Sequence, residues 1–135
     1  MVKAKVFLVC MMALLFVISV VGAYHLYAME RVMARSIYAD ILDDMQDIGY
    51  LNQALADYYI NKMAGLGWDV STDVFAGSWP RREEERARKE RKESVMLAMT
   101  VTPSNVAKWL NAFLEGDTAF SFTGSRPSEY FDPGW

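Results

Sequence analysis

Four aspartates, Asp40, Asp43, Asp44 and Asp47, form the densest cluster of groups able to do chemistry, and at 100° per residue they share one helical face. Carboxylates so arranged offer a contact to a basic partner. They do not suit calcium, which needs oxygens converging from a turn. The face is read as a solvent or subunit contact, and Trp79 and the terminal Trp135 join it as candidate partner contacts. The single histidine, His25, and the single cysteine, Cys10, both lie in or beside an apolar N-terminal run. A Ser-His-Asp or Cys-His nucleophile system would therefore lack its base in the rest of the chain. Zinc sites built on His and Cys fail on the same count, and no GxxxxGK[ST] or GxGxxG loop is present to cradle a phosphate. The expectation is a protein without cofactor or metal that is not an enzyme.

The elements that must position these residues begin with a membrane span. Residues 6–23, VFLVCMMALLFVISVVGA, carry no charge and cover roughly 27 Å at helical rise, close to the ~30 Å hydrocarbon core of a bilayer. Tyr24, His25 and Tyr27 follow at the far boundary, where amphipathic rings favour headgroups, and Lys3 and Lys5 mark the near side. This predicts a single-pass protein of the cell membrane, N-terminus cytoplasmic and soluble domain extracytoplasmic. The competing reading is a cleavable signal peptide ending at Val21, Gly22 and Ala23, with a secreted product. The apolar run is longer than the usual h-region, and helical periodicity continues past the cut, which favours a retained anchor. Residues 1–28 are assigned to the cytoplasmic start and the span, and residues 29–135 to one small domain, the most that 135 residues leave room for. A net charge of −3 with acids and bases nearly balanced gives no pull toward nucleic acid, so the partners expected are membrane lipid and other anchored subunits, including copies of the chain itself.

Beyond the span, Ile37, Tyr38, Ile41, Leu42, Met45 and Ile48 fall on an apolar arc opposite the aspartates, which predicts that the helix continues to Gly49. A second helix is expected over 50–64, ended by Gly65, Leu66 and Gly67. Three strands are expected, at 68–75, 94–102 and 119–123, with a short helix, VAKWLNAFLEG, between the last two. Residues 81–93, RREEERARKERKE, have no apolar stripe and are expected to form a charged loop or solvated helix outside any core. Trp68, Trp109, Phe113, Phe120 and Phe122 are assigned to the core. The fold class is α+β: a long N-terminal helix, transmembrane and then amphipathic, packed on a small antiparallel sheet of about three strands. Glu30, one turn past the membrane edge, is expected to face headgroups or to pair with Arg31 or Arg35.

The short basic start MVKAK, the apolar span, its helical continuation and the late β-rich SFTGSRPSEYF together resemble the pilin-like membrane proteins, in particular TadE-like minor pilins and pseudopilins. The resemblance is one of architecture over the whole chain. It implies a structural component of an envelope-spanning secretion, pilus or conjugation assembly, associating through its N-terminal helix. No glycine precedes the span and residues 6–12 contain no acid, so no functional residue of that family is carried over. Within lipid there is no hydrophobic drive between helices, which makes the small residues Ala13, Ser19, Gly22 and Ala23 candidate packing positions, while the stripe of Ile37, Ile41, Met45 and Ile48 is expected to bury either on its own sheet or on a neighbouring subunit. The alternative is a monomeric tethered or secreted binding module that uses the aromatic tail and the Trp79 loop.

Overall fold

The computed structural model describes residues 2–71 and 73–130. One helix, α1 (Val2–Ile48), runs through the apolar segment and on to the glycine without a break. No proline or glycine pair interrupts it, and its only internal glycine, Gly22, has open space around its Cα. Gly49 ends it with φ of +91°, a conformation that L side chains resist. A side chain there would also stand 2.5 Å from the Ala87 carbonyl oxygen. Helix α2 (Gln53–Gly65) follows, capped by the Asn52 side chain, which accepts from the Ala54 N–H at 2.9 Å.

Among the described residues the sheet has two strands, not three. Strand β1 (Ser94–Val101) pairs antiparallel with β2 (Phe120–Pro127), from Ser94 opposite Pro127 to Val101 opposite Phe120. Between them lies α3 (Asn105–Glu115), so the strands are joined through a helix rather than a hairpin. Among its described residues the segment expected as the first strand makes one isolated bridge, Asp69 with Thr102, and farther on Trp79 pairs with Met96. Two local turns explain this. Asp69 accepts from the backbone N–H and hydroxyl of Ser71, and Asp73 accepts from the Phe75 N–H, so both carboxylates bend the chain where a ladder would have to run straight. Residues 74–79 nonetheless do a strand's job at the edge of β1. The N–H groups of Met96, Ala98 and Thr100 donate to Trp79 O, Ser78 Oγ and Val74 O respectively, which satisfies every second donor along that edge.

The core lies between α1 and the sheet. Strand β1 alternates strictly, with Val95, Leu97, Met99 and Val101 buried, and α1 contributes Ala34, Ile37, Ile41, Leu42 and Met45. Helix α2 adds Ala56, Tyr59 and Met63, and Trp68, Val74 and Phe75 close the side. At Gly124 the β2 backbone comes so close to α1 that an added Cβ would collide with the Tyr38 hydroxyl, and Phe122 stacks beside the same ring at 5.6 Å. Residues 81–93 also depart from expectation. They form two single turns of 3₁₀ helix, Glu83–Glu85 and Lys89–Arg91, and insert Ala87 into the core at 1% exposure. Beside it the Arg86 guanidinium lies between the rings of Tyr50 and Tyr130, at 4.8 and 4.0 Å from their centroids.

Candidate functional site

The first half of α1 is long and apolar enough to cross a membrane, and among the described residues no other part of the chain packs on its most apolar stretch. Its small residues Ala13, Ser19 and Gly22 are exposed and Ala23 is half-buried. The Ser19 hydroxyl donates to the Leu15 carbonyl at 2.8 Å, so this polar group is already satisfied within the helix. Cys10 is an exposed thiol on the same segment.

Where α1 meets the domain, three side chains on successive turns and neighbouring positions make a polar seat. Glu30 is buried, and its two carboxyl oxygens accept from Trp68 Nε1 at 3.1 Å and from Ser104 Oγ at 2.7 Å. Neither the headgroups nor Arg31 or Arg35 receives it, contrary to the sequence reading. Ser104 stands at the N-cap of α3 but makes no capping bond with its side chain, whose hydroxyl donates to Glu30. The Tyr27 hydroxyl donates to Asn111 Oδ1 at 3.0 Å and accepts from Arg31, which also pairs with Glu115 at 2.8 Å. Those two hydrogen bonds, Glu115 first and Tyr27 second, hold the Arg31 guanidinium above its already high range. The Asn111 amide then donates to the carbonyls of Asp117 and Ala119 and fixes the turn into β2. Tyr27 itself is buried against the ring of Phe120, so α1 is part of the domain from this residue onward.

The acidic face serves the chain's own fold in two of its four positions. Asp43 pairs with Arg126, and Asp44 accepts from the Tyr59 hydroxyl at 2.8 Å, while Asp40 and Asp47 are exposed. Burial, and then the bond to Asp44, pushes the Tyr59 hydroxyl well above the ordinary tyrosine range. Ile37, Ile41 and Met45 are buried in the chain's own core, and Ile48 is half-buried, so these four residues do not form a free packing stripe. Trp79 is exposed on a backbone pinned to Met96, and Trp135 lies outside the described residues. Trp68 and Phe120 are buried as expected, whereas Trp109 and Phe113 are not core residues at all: they are 74% and 84% exposed. Among the described residues no three His, Cys, Asp or Glu side chains converge to hold a metal ion.

Sequence reasoning overlooked Glu30 as a structural residue. Its signal was present, since it falls on the helical arc of Tyr27, Ala34, Ile37 and Ile41 rather than on the aspartate face. An acid on a buried arc needs donors, and the only question left open was which ones. Asn111 carried no comparable signal. Comparison with known protein families, with curated proteins and with solved structures finds no match to this chain.

Proposed function

We propose that this protein is a membrane-anchored, pilin-like structural component of an envelope-spanning secretion, pilus or conjugation assembly. In this reading residues 6–23 span the cell membrane once, with the N-terminus cytoplasmic and the domain outside, and subunits associate along α1. The observation that carries it is an apolar stripe that outlasts the span. Met29 and Val32, with Leu26 at their edge, continue the exposed surface of α1 on the side away from Tyr27, Glu30 and Ala34, and Val32 is 68% exposed. Two turns of helix beyond the apolar run thus present a face that the chain's own domain leaves uncovered, and the same face on a neighbouring α1 has matching chemistry. A continuous helix also transmits position, because the domain is fixed to the span through Tyr27, Glu30 and Arg31 rather than hung on a linker.

The test is disulfide crosslinking in native membranes. A cysteine at Val32 in a Cys10→Ser background, and Cys10 in the unaltered chain, should each yield linked subunits, since a disulfide requires Cα atoms within about 7 Å. Absence of any crosslink at both positions, with the protein present at normal level, would remove helix-mediated assembly. The exposed Trp79 ring favours a second reading, a tethered binding module. That reading requires binding to survive when the chain starts at Tyr24, a cut that keeps Tyr27 and Glu30 in place, whereas assembly through the span would be lost.

A further inference from the structure

Helix α3 separates its residues into two arcs. Val106, Trp109, Leu110 and Phe113 fall on one side, and Asn105, Lys108 and Glu115 on the other. On most helices of a small domain the apolar arc would face the core. Here Trp109 and Phe113 are among the most exposed large side chains outside the N-terminal run.

Its bonds to α1 fix how α3 lies. Ser104, just before its first residue, meets Glu30, and Glu115 at its last residue meets Arg31. These two ends are about 16 Å apart along α3, yet they land on adjacent residues of α1, only about 1.5 Å apart along its axis. Helix α3 therefore crosses α1 instead of running beside it. It also occupies the end of the domain nearest the apolar run. The other contacts with α1 lie progressively farther away: Phe122 at Tyr38, Arg126 at Asp43 and the Glu129 N–H at the Gln46 carbonyl. Asn111 and Glu115 turn toward α1 and the start of β2, so Val106, Trp109 and Phe113 face away from the domain, while Leu110 at the edge of the arc packs against the core.

We propose that this arc rests in the headgroup–acyl boundary of the membrane that α1 enters, giving the protein a second contact with lipid beside its span. The inference depends on residues 6–23 being that span. Tyr27, which holds the middle of α3, is roughly 6 Å past Ala23, and the side chains of a helix reach about 5–6 Å from its axis. Trp109 and Phe113 thus arrive at the level of Tyr24, where the span ends and where aromatic rings are favoured. Lipid, rather than a protein groove, is the occupant because the arc is continuous in level with the apolar run and lies across it, parallel to the surface a perpendicular span would cross. The pair of contacts would set the tilt of the domain on the membrane.

Depth measurement by spin labelling tests this on the full chain, reconstituted in phosphatidylcholine–phosphatidylglycerol vesicles. In a Cys10→Ser background, single cysteines replace Val17, Phe113 and Lys108, and each label is scored for collision with oxygen against a water-soluble nickel chelate. The expected result is a deep label at 17, an interfacial label at 113 that favours oxygen, and an aqueous label at 108. In the otherwise unaltered protein, brominated lipid should quench tryptophan emission, and Trp109→Phe should lose most of that quenching. A deep label at 17 with an aqueous label at 113 overturns the inference and leaves the anchor intact. A label at 113 shielded from both reagents overturns it in favour of a second protein surface. An aqueous label at 17 removes the anchor itself, and the inference with it.

Discussion

The second half of α1 and the helix α3 both present an apolar arc at helical spacing, and the domain covers the first but leaves most of the second exposed. Ile37, Ile41 and Met45 sink against β1, while Trp109 and Phe113 stay outside although they are the larger side chains. The difference lies in what each helix must reach. A helix running along a sheet meets a row of inward side chains at every turn, as α1 meets Val95, Leu97, Met99 and Val101. Helix α3 crosses α1 at the sheet's end and buries only Ala107 and Asn111, one small and one polar residue, with Leu110 half-buried beside them. Amphipathicity marks a face that needs cover; the direction of the helix decides what supplies it.

Charging the covered arc should do the most damage. Ile41→Asp buries an unpaired carboxylate in the centre of the core and should cost more than about 4 kcal/mol, read as loss of the cooperative unfolding transition in detergent. Next comes the polar seat between the two arcs: Glu30→Ala strands the Trp68 N–H and the Ser104 hydroxyl and should cost roughly 2–3 kcal/mol by chemical denaturation. Glu30→Gln, which keeps an acceptor, should cost less. At the rim of the covered arc, Tyr59→Phe should cost about 1 kcal/mol near neutrality. The same site carries a pH signature. Because the folded hydroxyl titrates above the unfolded one, its contribution is complete below about pH 10 and is lost as pH rises beyond it, so Tyr59→Phe should flatten the alkaline decline in stability. Smallest of all, Phe113→Ser on the open arc should change stability in detergent by no more than about 0.5 kcal/mol. A loss as large as that of Glu30→Ala would show that the arc is covered after all, and would erase the contrast between the two helices.

Residues 81–93 illustrate why part of the core was illegible. Hydrophobic pattern is a property of windows, and RREEERARKERKE has none, but burial can hinge on one methyl group. Ala87 is held inside because its N–H donates to the Gly49 carbonyl at 2.8 Å, a partner 38 residues away in sequence that only folding brings near. The missing strand has the opposite cause. Trp68 was correctly assigned to the core, yet the short-range bonds of Asp69 and Asp73 outcompeted the ladder, and Val74 and Phe75 are buried side by side as no alternating strand would place them.

By itself the sequence determined the uncharged N-terminal run, the continuation of that helix to Gly49, the inward alternation of β1 and the end of α3 at Gly116, because each is a local matter of period, charge or a residue's own backbone preference. Only the tertiary structure decided that Glu30 would be buried under Trp68 and Ser104, that two of the four aspartates would bind Arg126 and Tyr59, and that α3 would turn its aromatic arc outward. Those outcomes depend on how distant elements are oriented when they meet, and orientation leaves no period in the chain.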